Sequence, residues 1–414
     1  MSYLEKLLDG VEVEWKNLED FSKIFAGGTP RTSNQNFYDG DIPWIRSGEV
    51  NFNVITSSRR NITEAGLAGS SAKLIRKNSV VLAMTGATVA RSAVVEFSTS
   101  ANQSVAAIET NEDYLNYKYL FYYLEDNYNN IKSSAQGALT SINLAMIKKI
   151  EIPIPCPENP KKSLEIQQKI VDILDTFTEL TAELTAELTA RKQQFEYYRE
   201  ELLTFDKDEV PHLPMGDESL GEFIRGKRFV KTDILDKGVP TIHYGEMYTH
   251  YGTWADQTKS FVSRELVDRK KLRLAEKGDV VIVAAGETIE DIGQGTAWLG
   301  NEGVVIHDAC FYYKSNLNPK YVAYFTRTRQ FHDQIKKHIR TGKISAINSK
   351  GLGKAIIPIP SPEEQERIVS ILDKFDVLTT SISEGLPKEI ELRQKQYEYY
   401  RALLLDFPKE VIEA

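Results

Sequence analysis

The residues that could do chemistry in this sequence are of two kinds, and only one kind has the spacing its chemistry needs. The first kind would be catalytic. GEFIRGKR (221–228) has the G-x-x-x-x-G-K spacing of a phosphate-cradling loop, but Arg228 stands where Ser or Thr would hold magnesium. GQGTAWLG (293–300) begins like a dinucleotide fingerprint, yet Trp298 occupies the third glycine position, so a β-turn is expected there. The Asn-Pro pairs at 159–160 and 318–319 lead into lysine, not into the Pro-Tyr of an amino-methyltransferase. Six histidines form no H-E-x-x-H, and Cys156 and Cys310 stand too far apart for a zinc cluster. His307 beside Asp308 has the types of an acid–base pair, but a strand points adjacent side chains to opposite faces, so a structural role is expected. The chain reads as one without catalytic or metal-binding residues of its own.

The second kind is basic and polar side chains in turn-rich stretches. In the first half these are Thr29, Arg31, Arg46, Arg59, Arg60, Thr85, Thr88, Arg91, Gln103 and Gln136. In the second they are Arg225, Lys227, Arg228, Lys231, His243, Arg269, Lys270, Lys271, Arg340 and Lys343. Arginine and glutamine in loops can reach base edges, while lysine and hydroxyls hold phosphates, so these are the candidates for DNA contact. Net charge first argues otherwise: 51 basic against 59 acidic residues leave −8, and phosphates repel an acidic surface. The distribution removes the objection. Residues 16–150 carry +2 and 211–355 carry +5, whereas 1–15, 151–210 and 356–414 carry −3, −7 and −5.

The elements that must position these residues follow from an internal repeat. IPIPCP (152–157) returns as IPIPSP (357–362), preceded by GALTSIN (137–143) and GKISAIN (342–348). QQKIVDILDTF (167–177) matches QERIVSILDKF (365–375), and RKQQFEYYREELL (191–203) matches RQKQYEYYRALLL (393–405). Weaker echoes pair PWIRSGEV (43–50) with PTIHYGEM (240–247), and Lys118-Tyr119 with Lys320-Tyr321. The well-preserved segments read as long helices. Ile170, Ile173, Leu174, Phe177, Leu180, Leu184 and Leu188 form one apolar stripe, as do Ile368, Ile371, Leu372, Phe375, Leu378 and Ile382. Ser361 with Pro362 and Glu364 is a capping box, and Ser163 a less complete cap, opening a helix over 163–205. Gly385 and Pro387 should interrupt the second helix. The divergent regions carry β-rich runs at 79–84, 92–97, 279–285 and 303–313, followed by helical patterns at 114–125 and 319–338. Each is expected to be an α+β domain with a small sheet.

In their duplicated order, these motifs resemble the specificity subunit of type I restriction–modification enzymes over essentially the whole chain. The carrying features are G-x-[LI]-[TS]-x-I-N, IPIP-x-P, Q-x-x-I-V-x-I-L-D and [FY]-E-Y-Y-R in each copy, with GGTP (27–30) and IPWI (42–45) in the first. TAEL at 181–184 and 185–188, after FTEL at 177–180, looks like the subclass in which repeat number sets half-site spacing. The resemblance implies an α+β fold: two target recognition domains, 1–150 and 206–355, separated by spacer helices at 151–205 and 356–414. The helices would pair as an antiparallel coiled coil with pseudo-twofold symmetry. It further implies a bipartite double-stranded DNA target, one half per domain. Two modification (methyltransferase) subunits would dock through Leu180, Leu184, Leu188, Phe195, Tyr198, Leu378, Ile382, Tyr397 and Tyr400, with restriction subunits joining. S-adenosylmethionine, ATP and magnesium would belong to those partners. The N-terminal stretch is expected to pack near the C-terminal helix. MSYLEKLLDG has no evident signal peptide, so a cytoplasmic location without a membrane span is expected. The second region has Gly226-Lys227-Arg228-Phe229 instead of GGTP, a departure from the family pattern.

Overall fold

A computed structural model describes residues 3–8, 10–135, 141–381 and 383–408. Gln136 and Ile382, both named above, lie outside the described residues. The chain divides into two compact units, one of residues 1–184 with 390–414 and one of 185–389.

Each unit is built on a five-stranded sheet with the same connectivity. In the first, the neighbours run Ser22–Ala26, Val105–Thr110, Ser79–Ala83, Ser92–Val95, Asn53–Ile55. In the second they run Gly221–Arg225, Cys310–Ser315, Val280–Val283, Gly295–Trp298, Trp254–Ala255. The central strands are apolar on both faces because both faces are covered. Val80 and Leu82 pack against the helix Tyr117–Asp126, while Val81 and Ala83 pack with Ile45 and Ala101 of a smaller sheet. In the second unit Val280 and Ile282 meet the helix Pro319–Phe325, and Val281 and Val283 meet Ile242 and Ile306. The smaller sheets also correspond. Tyr38–Ile45 runs parallel to Ser100–Ala101, and Val239–Ile242 runs parallel to Val304–Ile306. Leu274–Ala275 adds a fourth strand to the smaller sheet of the second unit.

The motifs shared by the copies now have physical roles. In each G-x-[LI]-[TS]-x-I-N segment the isoleucine N–H bonds back to the large sheet, Ile142 to Met84 O and Ile347 to Ala284 O, both at 2.9 Å. The asparagine side chains of Asn143 and Asn348 then cap short helices. The lysine of each Lys-Tyr echo, together with a tyrosine four residues further on, mounts the sheet domain on its helix, while the echo's own tyrosines, Tyr119 and Tyr321, donate to Pro153 O and Pro358 O. Lys118 Nζ pairs with Asp175 at 2.6 Å and the Tyr122 hydroxyl donates to the same carboxylate at 2.6 Å. Lys320 and Tyr324 repeat this on Asp373 at 2.6 and 2.8 Å.

The first long helix is Pro160–Leu202, 43 residues or roughly 65 Å at 1.5 Å per residue. Its cap is Asn159, whose side chain accepts the Lys162 N–H at 3.1 Å; Ser163 is instead buried inside the first turn, accepting from Gln167. Ser361 caps the helix Pro362–Thr380 as expected, while the Glu364 carboxylate turns to Arg367. Gly385, at φ +88°, sits between Pro362–Thr380 and the next helix, Leu386–Leu405. Along the stripe, Phe177 stacks on Tyr400 in one unit, and Phe195 on Phe375 in the other. The amino-terminal Leu4 and Leu8 share a core with Leu404, Leu405 and Phe407, and Trp15 Nε1 donates to Pro408 O at 3.1 Å.

Two expected elements are divided. The run 303–313 breaks after Ile306, so its halves serve different sheets. The pattern 319–338 becomes Pro319–Phe325 and Arg329–Lys336, separated where Thr328 caps the second helix. At 293–300 a turn at Gly293 leads into the strand Gly295–Trp298.

Candidate nucleic-acid interface

In the first unit the loops after the sheet strands converge. Gly27 N–H bonds Val105 O and Gly28 N–H bonds Ala101 O, so the GGTP segment lies against the 101–105 turn. No side chain fits there: a Cβ on Gly27 would lie 2.3 Å from Ala101 O, and one on Gly28 2.2 Å from Ala72 N. Trp44 of IPWI donates Nε1–H to Gly28 O at 3.0 Å, which explains why GGTP and IPWI occur together. Thr29 donates its hydroxyl to the Gln103 side chain. The Glu49 carboxylate accepts the N–H of Arg46 at 3.0 Å and of Arg59 at 3.2 Å. Thr88 donates to Ser47 O at 2.7 Å, and Arg91 binds the Asn51 side chain beside the Phe52 ring. Thr29, Arg46, Arg59, Thr88, Arg91 and Gln103 are thus tied into linked loops, with Arg31, Arg46, Arg59, Arg60 and Gln103 exposed and Thr85 half-buried.

The second unit builds the corresponding place from different residues. Gly226 N–H bonds Cys310 O and Lys227 N–H bonds Ile306 O, so Lys227 stands where the first unit has Gly28. Arg225 donates Nε–H to Asp308 O at 2.9 Å, and Arg228 and Lys231 are exposed. His243 and His307 face each other with ring centroids 4.7 Å apart, next to Tyr244. Both are held below the ordinary histidine value, chiefly by burial. His307 donates Nε2–H to Phe229 O and takes the Ala309 N–H on Nδ1, so the neutral ring is fully used.

His307 and Asp308 were expected to point apart on a strand. The strand ends at Ile306, and in the turn that follows His307 Nδ1 and Asp308 Oδ1 come within 3.3 Å. Because that nitrogen already accepts a backbone proton, the contact is not a proton relay. The segment 221–228 is the strand Gly221–Arg225 followed by an irregular loop, with no helix N-terminus to receive a phosphate.

Other named residues sit elsewhere. Lys270 pairs with Asp233 at 3.2 Å, Arg269 with Glu265 at 3.7 Å, and Lys271 terminates the helix Arg264–Lys270 in the left-handed conformation. Arg340 pairs its backbone with Ala346, and Lys343 is exposed in the intervening turn. On the helices, Phe195 is buried against Tyr324 and Phe375, Tyr198 lies on Phe375, and Tyr397 donates to Glu125 at 2.6 Å. Leu180, Leu184, Leu188 and Leu378 are half-buried. The most exposed aromatic residues of these helices are the neighbours Tyr197 and Tyr399, 62% and 64% exposed, which the stripe pattern did not single out; the named Tyr400 is also exposed, at 38%. Glu49 and Glu246 were also missed, although both stand in the echo PWIRSGEV/PTIHYGEM. Among the described residues no cluster of three or more His, Cys, Asp or Glu could hold a metal ion, and no helix is long and apolar enough to cross a membrane.

Comparison with known proteins agrees with this duplicated arrangement. The family model for the type I restriction modification DNA specificity domain matches twice, at residues 10–191 and 218–392. The specificity subunit of the Escherichia coli type I restriction enzymes EcoR124I and EcoR124II is 36% identical, covering 99% of this chain and 98% of that one. A specificity subunit of Haemophilus influenzae, so named putatively, is 32% identical over 98% of each. A chain from a solved type I restriction–modification system superposes with TM-score 0.66 at 16% identity, over 95% of this chain and 98% of that one. The M. genitalium specificity subunit gives TM-score 0.53 at 15% identity, over 99% and 100%.

Proposed function

Since the chain belongs to the type I restriction modification DNA specificity family, we propose that its two recognition domains, 1–150 and 206–355, each read one half of a bipartite double-stranded DNA target. The chain is a DNA specificity subunit with two target recognition domains, and a non-catalytic component of a type I complex. The observation that carries the bipartite reading is one scaffold used twice with different side chains on its loops: Arg46, Thr88, Arg91 and Gln103 in one, Arg225, Lys227, Arg228 and His243 in the other. Arg59, Arg60 and Lys231 would hold phosphates around each site, positioning the domain without reading sequence.

The helix Pro160–Leu202 serves as the ruler. Each TAEL adds four residues, ~6 Å of helix, against about 3.4 Å of rise per base pair. The modification subunits, two per chain, dock on the helical segments, whose acidity contrasts with the basic recognition regions. The exposed Tyr197 and Tyr399 occupy matching places in the two E-Y-Y-R motifs and favour two equivalent contacts. S-adenosylmethionine, ATP and magnesium belong to the modification and restriction partners, and the assembly works in the cytoplasm.

The test is methylation of DNA series with graded spacers by the full complex, with and without residues 181–184. Removing one TAEL shortens the optimal spacer by on the order of one base pair, with both half-site sequences unchanged. An unshifted optimum rejects the ruler.

A further inference from the structure

We propose that Arg46 and His243 are equivalent base-reading positions, one for each half-site, each presented by a carboxylate latch three residues on, at Glu49 and Glu246. The inference rests on the bipartite reading above. The echo of PWIRSGEV (43–50) in PTIHYGEM (240–247) shows the correspondence only faintly in sequence. Arg46 and His243 each follow the last residue of a strand in the smaller sheet, Tyr38–Ile45 or Val239–Ile242. The neighbouring parallel strand is held the same way in each unit: Asn102 N–H bonds Ile45 O at 2.9 Å, and His307 N–H bonds Ile242 O at 3.4 Å.

The turn that follows repeats bond for bond. Glu49 N–H bonds Arg46 O and Glu246 N–H bonds His243 O, both at 2.9 Å. In return the glutamate side chains accept the N–H of Arg46 at 3.0 Å and of His243 at 3.1 Å. The second carboxylate oxygen reaches the adjacent segment in both, Arg59 N–H in the first unit and the Ser260 hydroxyl in the second. A doubly engaged carboxylate fixes the backbone of position 46 or 243 without touching its side chain. A scaffold that holds the backbone identically while the side chain differs is what exchangeable readout requires.

The two side chains suit different bases. Arg46 is exposed, and its planar fork matches O6 and N7 of guanine in the major groove. His243 takes the Gly245 N–H on Nδ1 at 3.3 Å, so its neutral ring offers a single donor, Nε2–H. One donor discriminates less sharply than a fork. Position 46 therefore reads a guanine strictly and position 243 reads an acceptor-bearing base loosely. Glu49 and Glu246 are positioning residues that act through the side chain they present.

The experiment is sequencing of methylated motifs made by the full complex carrying R46A, R46K, H243R, E49Q or E246Q. R46A should make one guanine of the first half-site degenerate, its preference falling about tenfold or more, with the second half unchanged. R46K keeps the charge and donors that can still reach O6 or N7 but not the planar fork, and should weaken preference for the same guanine while retaining overall DNA affinity, which covers the case of a poorly folding alanine variant. H243R should tighten one position of the second half to guanine. E49Q and E246Q should relax the same base pairs as substitution at 46 and 243, whereas a purely structural glutamate would lower yield at every site and leave the motif intact. Intact motifs for R46K and H243R overturn the inference while the bipartite reading stands. A wild-type complex that methylates no bipartite motif overturns the reading itself.

Discussion

The two recognition regions are alike where backbone meets backbone and different where side chains face outward. Gly27 and Gly226 occupy the same place: a Cβ would lie 2.3 Å from Ala101 O in one and 2.2 Å from His307 O in the other. One residue further the regions part, Gly28 pressed against Ala72 N in the first and Lys227 in the second. The same division separates the mounts, Lys-Asp-Tyr in both units, from the loops, where arginines and Gln103 face a histidine pair and Lys227. Contacts that hold the sheet domain to its helix admit little variation, because each buried partner must be satisfied. Exposed loop side chains such as Arg46, Gln103 and Arg228 carry no such constraint, so they can differ between the units.

The comparison breaks most readily at the shared glycines. Gly27→Ala and Gly226→Ala should each cost on the order of 3 kcal/mol, because the new methyl meets fixed backbone. Urea unfolding of each variant, with hydrogen exchange to locate the loss, should place it in the altered unit alone. A tolerated alanine at either site would show that the scaffold is less strictly shared. Next, Asp175→Ala and Asp373→Ala should cost similar amounts, about 2 kcal/mol, since each strands a partly buried lysine and a tyrosine hydroxyl. Unequal losses would mean the mounts are alike in geometry only.

Cap removal is smaller. Asn159→Ala and Ser361→Ala should each lower stability by about 1 kcal/mol, read from the same unfolding curves. The subtlest difference is in pH response. All six histidines lie between 212 and 338, within the unit 185–389. Burial holds His243 and His307 below the ordinary value, so the unfolded chain binds protons more readily than the folded unit. Their contribution is fully present above about pH 6.5 and is lost as pH falls below it. Hydrogen exchange on either side of that value should show the second unit loosening more than the first, and H243Q should reduce the difference. Equal responses would assign the acid sensitivity to carboxylates common to both units.

Much of the architecture was legible in the amino-acid order because it depends on local periodicity and on duplication. The β-rich runs at 79–84 and 279–285 are the central strands Ser79–Ala83 and Val280–Val283, Ser361 is a cap with its proline in place, and Gly385 marks the helix break. The failures have a common cause. Ser163 looked like a cap until Asn159, one residue before Pro160, proved to accept the first-turn N–H. The run 303–313 read as one strand because apolar residues bridge a turn that serves two sheets. The stripe pattern also does not show that Phe195 packs on Tyr324 and that Tyr397 donates to Glu125 within their own units. The interface candidates were chosen by type, and type cannot tell Arg46, exposed on a latched turn, from Lys270, already paired with Asp233.

Sequence by itself therefore determined the duplication, the strand and helix content, the acidic helices between basic regions and the family. Those properties are carried by composition and by spacings of a few residues. Only the tertiary structure decided which loops converge, that Glu49 and Glu246 grip positions 46 and 243, and that Gly27 and Gly226 are pressed against neighbouring backbone. These depend on parallel strand pairs between residues more than fifty positions apart, and no local pattern encodes which of them will meet.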